Sequence, residues 1–333
     1  MDKSQISFLN SNTLELHYSL NNESHRMDAT VQNKCEYELL AIIKEIALKF
    51  DVEISIETVP LAEGGIKRWF KVISKKENKS AFITTAIIIA LVSTILVTPL
   101  STTVSKATEK LIEKIFEDKE LKELEKEKLK LEIEKLKREI EQKNLQLDQN
   151  TVVKKRRSNF YESLEKDSKI NQISIIIEND ANHPIVDEQV VNRPNFKDFI
   201  LISDDLEPVE IDNAIIEIIS PVLKKGNFRW IGILDGEQVI FNMKSNEFKT
   251  LVQTGKIEFK NGSSINCLLT IRKKIDNEGN EKIVGYDILR VNHYFENDKP
   301  IETPEGKHYR QKQEADKLQI KMSFNEPEKN ETK

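Results

Sequence analysis

Two groups of residues in this chain have types and spacings that could do chemistry. Thr94, Thr98, Ser101, Thr102 and Ser105 fall, at 3.6 residues per turn, within about a 100° arc of one helix face. Hydroxyls on one face can line a polar path, or can bond back to their own helix and pack it against a neighbour. Ala86, Ala90, Thr94, Thr98 and Thr102 recur every four residues, a small-residue ladder that lets helix backbones approach closely. The second group is Lys154-Lys155-Arg156-Arg157, followed by Phe160 and Tyr161. Adjacent cations neutralise phosphates and nearby aromatic rings stack on bases, so this group is the candidate contact for a single-stranded oligonucleotide or nucleotide. The same cations could instead complement a helix C-terminus.

Catalysis finds less support. Glu23-Ser24-His25-Arg26-Met27-Asp28 has nucleophile and base types but no paired base or oxyanion donor, and Asp28 or Thr30 is better read as a helix cap. His17, His25, His183, His293 and His308 are scattered without metal-ligand spacing, and Cys35 and Cys267 are too few for a metal site or disulfide framework. Gly64-Gly65 is not followed by the Gly-Lys-Ser/Thr of a phosphate loop. No catalytic residue, metal or cofactor is expected, and the chain is not read as an enzyme.

The elements that must carry these groups follow from composition. The chain has 333 residues, with 32% charged and 38% hydrophobic, and its mean hydropathy is -0.49. Those values exclude a polytopic membrane protein and a disulfide-rich secreted chain. A net charge of -5 gives no bulk basic field for duplex DNA. One stretch departs from the mean: Ala81 to Val104 is 24 residues without a charge, long enough as a helix to exceed a bilayer core of roughly 30 Å. A transmembrane or membrane-inserting segment is therefore expected over 80–105, the alternative being a helix buried in a soluble oligomer. Lys67, Arg68, Lys71, Lys75, Lys76 and Lys79 precede it, a basic flank suited to anionic lipid headgroups and to a cytoplasmic N-terminal side.

Before that segment, residues 1–79 read as a small α/β unit. Leu14 to Leu20 alternates as a strand, Leu39 to Phe50 has helical spacing, and Val52 to Glu57 alternates again. After it, residues 106–167 read as a long charged helix. Leu129, Ile133, Leu136, Ile140 and Leu147 form an imperfect heptad stripe, a possible coiled coil and a means of homo-oligomerising. Residues 168–295 read as a mainly antiparallel β domain, with strands over 228–234 and 237–241 flanking the Asp235-Gly236 hairpin turn, and 296–333 as a polar tail. The fold class expected is α+β.

This order of parts resembles the membrane effectors of bacterial anti-phage defence, and among them the channel-type effector of Hailong systems. The resemblance lies in the architecture over most of the chain and in no diagnostic motif. It implies an oligomeric ligand-gated pore in the bacterial inner membrane, with 81–105 as conducting element. It also implies a companion nucleotidyltransferase whose oligonucleotide product holds the pore closed. The rival expectation is a non-conducting, membrane-anchored coiled-coil scaffold whose β domain binds a protein.

Overall fold

A computed structural model describes residues 12–21, 26–58, 66–75, 79–100, 131, 134, 138, 147, 150–179, 184–224, 226, 228–260, 262–296 and 299–323, the side chains of 79–83 and 318–323 excepted. The chain forms two compact units, one of residues 1–204 with 275–280, the other of 205–274 with 281–333.

The first unit is built from β1 (Thr13–Leu20), α1 (Ala29–Lys49), β2 (Ile54–Thr58), β3 (Ile66–Ser74), α2 (Lys79–Val97), α3 (Thr151–Lys166), β4 (Ile170–Glu178) and β5 (Gln189–Asn192). The sheet runs β2-β3-β1-β4-β5, and each of its pairings is antiparallel. This is a split βαβ arrangement with one added strand. Period-two alternation sends Leu14, Leu16 and Tyr18 of β1, Phe70 and Val72 of β3, and Ile173, Ile175 and Ile177 of β4 into one core with all three helices. Asp28 caps α1 by accepting from the amides of Thr30 and Val31.

This architecture corrects the expected fold class. Residues 1–79 do not close a sheet alone, because β1 pairs along its length with β4, which the sequence reading gave to the C-terminal β domain. The membrane segment is also corrected. The uncharged run is not one continuous helix: α2 stops at Val97, Pro99 follows, and the Leu100 amide donates to the Asp198 carbonyl. Ala86 through Val92 are at most 1% exposed, enclosed by the protein's own core. A helix apolar all round must be buried, and here protein buries it rather than lipid. No helix among the described residues is long and apolar enough to cross a membrane, so the inner-membrane localisation and the transmembrane helix over 80–105 lose their support.

The long charged helix is corrected at its C-terminal end. Asn150 starts a new helix, its side chain accepting from the Val153 amide and donating to Glu45 Oε1 at 2.8 Å. Leu147, the last member of the heptad stripe, is buried in the core of the first unit instead of on a seam with another copy. Among the described residues there is no long coiled-coil helix; Leu129, Ile133, Leu136 and Ile140 lie outside them.

The second unit comprises β6 (Val209–Ser220), β7 (Trp230–Leu234), β8 (Glu237–Met243), α4 (Asn246–Gln253), β9 (Ser264–Ile275), β10 (Glu281–Glu296), β11 (Lys299–Glu302) and α5 (Pro304–Ser323). Neighbouring strands run β11-β10-β8-β7-β6-β9, and β9 also pairs with β10, which closes a five-stranded barrel. The β8–β10 pairing is parallel, whereas β6–β7, β7–β8 and β6–β9 are antiparallel. Counting from β6, the order is 1-2-3-5-4-1 with a helix between the third and fourth strands, the topology of an OB-fold. Asp235 and Gly236 take φ 50° and 83° in the β7–β8 turn, the left-handed pair a tight hairpin requires. Trp230, Phe241 and Phe248 fill the barrel core with Ile216, Ile265 and Leu269.

Candidate partner-binding face

The outer surface of β6, β7 and β8 departs from what an antiparallel barrel ordinarily shows water. Ile231 of β7 sits opposite Ile240 of β8, and Ile233 opposite Gln238. Glu217 of β6 faces Ile233 on the other side, and a register shift between Ile218 and Ser220 bulges the strand at Ile219. Ile215, Ile219 and Ile240 are 58%, 52% and 50% exposed, beside the partly buried Ile231 and Ile233. The face is therefore an isoleucine-rich surface on three adjacent strands, interrupted by Glu217 and Gln238. Gly232 lets β6 and β7 close beneath it: a Cβ there would lie 2.6 Å from the Glu217 carbonyl oxygen.

The charges around this face are defined by their partners. Arg272 Nε pairs with Asp287 Oδ2 at 2.9 Å, and Asn242 Nδ2 donates to Asp287 Oδ1 at 2.7 Å, so that border is internally neutral. Glu217 lies within the face and Glu237 at its end, and neither pairs with a cation among the described residues. The surface is aliphatic with an acidic bias. It has no exposed aromatic ring for base stacking and no lysine row for phosphates, the two features single-stranded nucleic acid requires.

The first unit has a chemically distinct cluster on the sheet face opposite its core. Glu15 of β1 and Glu178 of β4 are 2% and 6% exposed, and Lys67 Nζ lies 2.7 Å from Glu15 Oε1. Burial is the main force pushing the Glu178 carboxyl up to about 7, aided by its hydrogen bond and repulsion with Glu15; Trp69 and Lys67 oppose the shift. Burial, and then Lys67, lower the pKa of the neighbouring His17. No group of three or more His, Cys, Asp or Glu among the described residues could hold a metal ion.

The residues singled out from sequence are placed elsewhere. Lys155, Arg156 and Arg157 are at most 8% exposed. Lys155 Nζ pairs with Asp204 Oδ1 at 2.8 Å, Arg156 Nη1 with Glu38 Oε2 at 3.1 Å, and Arg157 Nη1 donates to the Ile95 and Thr98 carbonyls. Phe160 and Tyr161 are fully buried, Tyr161 stacking on Phe199 and donating to the Leu96 carbonyl. Only Lys154 of the six is partly exposed, so the cations and rings are not displayed as one cluster. Ala86, Ala90, Thr94 and Thr98 are core residues, and Thr94 Oγ1 donates back to the Ala90 carbonyl at 2.8 Å. Ser101, Thr102 and Ser105 lie outside the described residues.

The basic flank is likewise divided. Lys67 pairs with Glu15, Arg68 with Glu36 at 2.8 Å and Lys75 with Glu53 at 3.1 Å. Lys71 is half-buried in β3, Lys79 begins α2 and Lys76 lies outside the described residues.

Sequence reasoning missed the isoleucine face. Its signal was available: Ala214 to Ile219 is apolar at both parities except for Glu217, whereas a strand with one face in water should alternate. The Glu15–Glu178 pair left no such signal, since its members are far apart in sequence.

The geometry thus defines an OB-type barrel with an aliphatic outer face, joined to a split βαβ unit. No family model, curated protein or solved structure matches the chain.

Proposed function

We propose that this protein is an interaction module whose barrel docks a segment of another protein on the β6–β7–β8 face. The observation that carries this is the cross-strand pair Ile231–Ile240 with Ile215 and Ile219 exposed beside it. Exposed aliphatic surface gathered on adjacent strands marks a contact surface, whereas scattered apolar residues do not. The occupant is a partner segment presenting aliphatic side chains flanked by Lys or Arg, which would meet Glu217 and Glu237. A second copy fits less well, because a two-fold axis through the face would set Glu217 near its own mate.

Burying each half-exposed isoleucine would contribute about 1 kcal/mol, so three or four together support a weak, reversible contact. The test uses a peptide of alternating Ile and Lys, with isoleucine methyl resonances as the readout. Methyls of Ile215, Ile231 and Ile240 should shift together, and Ile240→Lys should abolish the shifts. No saturable shift at these methyls, or shifts unchanged in Ile240→Lys, overturns the proposal.

A further inference from the structure

The barrel carries a second feature, a pocket of about 240 Å3 where the β6–β7 connection meets the end of β8 and α4. Trp230 and Met243 contribute apolar wall, and Phe228, 62% exposed, contributes an accessible ring. Lys244 and Lys249 also line it. No Asp or Glu is among the described residues that line it, and neither lysine pairs with a carboxylate among the described residues. Two lysines lining one cavity, with no carboxylate among its described lining residues, favour an anion.

The pocket is held in shape by its own elements. Gln253 Nε2 of α4 donates to the Lys224 carbonyl at 3.3 Å, tying the β6–β7 connection to the helix. Gly226, at φ 148°, passes so close to the Phe228 ring that a Cβ would lie 2.7 Å from it, so the ring occupies the space a side chain there would need. Asn242 commits its amide nitrogen to Asp287. The cavity is smaller than the roughly 300–1,000 Å3 of drug-sized sites, so it has room for one ring and one anionic group.

We infer that this pocket binds a small aromatic anion, its ring stacked on Phe228 and its phosphate or carboxylate held between Lys244 and Lys249. The site meets the isoleucine face only at its Asn242 border, is lined by none of its isoleucines, and stands whether or not that face binds a protein. Flat rings gain from stacking on an aromatic face, and saturated rings of the same size do not. Paired lysines make binding weaken with salt.

The experiment titrates the full-length protein with phenyl phosphate, cyclohexyl phosphate and inorganic phosphate, following the Trp230 indole N–H resonance. Phenyl phosphate should shift it saturably, with the other two at least tenfold weaker. Phe228→Ala should bring phenyl phosphate down to the cyclohexyl level. The double variant Lys244→Gln/Lys249→Gln should weaken it at least tenfold and remove most of its salt dependence. Both variants change side chains that reach solvent, and an unchanged amide spectrum confirms that they fold. Absence of a saturable shift, equal affinity for phenyl and cyclohexyl phosphate, or wild-type affinity in either variant overturns the assignment.

Discussion

Arg157 of α3 donates to the carbonyl oxygen of Thr98 at 2.8 Å and to that of Ile95 at 3.1 Å. The last carbonyls of a helix have no intrahelical partner, and here a buried guanidinium satisfies two of them at the C-terminal end of α2. One contact therefore explains two features of the sequence: why an apolar helix can end inside protein, and why a cation five per cent exposed is tolerated there.

Replacing Arg157 by Met should consequently destabilise the protein by about 2–4 kcal/mol, since the change leaves buried carbonyls unpaired. Urea denaturation would measure it, with Lys154→Gln as the control within about 0.5 kcal/mol of wild type. Equal midpoints for Arg157→Met and wild type would mean that the bonds to these two carbonyls add no net stability.

Ala90 is fully buried in α2 and belongs to the core of the first unit. Ala90→Leu adds three heavy atoms to a packed interior and should cost about 1–3 kcal/mol. A lipid-facing position would accept the same leucine with no loss, so the melting temperature distinguishes the two environments.

The Glu15–Glu178 pair makes stability depend on pH. The Glu178 carboxyl is held near 7 in the fold against about 4.3 in an unfolded chain, so between those values the native state binds more protons. Its contribution is fully present below about pH 4.3 and is lost as pH rises through 7. His17, whose pKa is lowered, acts in the opposite sense, and its contribution is complete once pH exceeds about 6.5. From pH 6.5 to 8.5 the melting temperature of wild type should therefore fall relative to that of Glu178→Gln. Parallel curves for the two proteins over that window would refute the raised Glu178 carboxyl.

Gly232→Ala should cost about 1–3 kcal/mol. Its new methyl would lie 2.6 Å from both the Glu217 carbonyl oxygen and Ile216 Cγ2, forcing β6 and β7 apart at the Ile218–Ser220 bulge. Thermal unfolding should show the loss, and amide exchange should quicken along β7 first. A melting temperature within one degree or so of wild type would show that the strands can separate cheaply.

What the sequence determined by itself was local. The alternation of Leu14, Leu16 and Tyr18, the helical spacing of Leu39, Ile42, Ile43 and Ile46, and the Asp235-Gly236 turn each have a period or a backbone requirement that no distant residue changes, and each is in the fold. Tertiary structure alone decided three things. A helix apolar on every side, such as Ala86 to Val92, satisfies hydrophobic burial equally in lipid or in protein, because that force has no direction. Lys155, Arg156 and Arg157 became buried partners only when Asp204, Glu38 and the end of α2 were brought to them. Finally, β4 lies beside β1 with Leu16 opposite Ile175, a backbone pairing across a separation that no local periodicity encodes. That single pairing brings together Glu15 and Glu178, and it is why the N-terminal strands and helix cannot be a unit without the residues after 170.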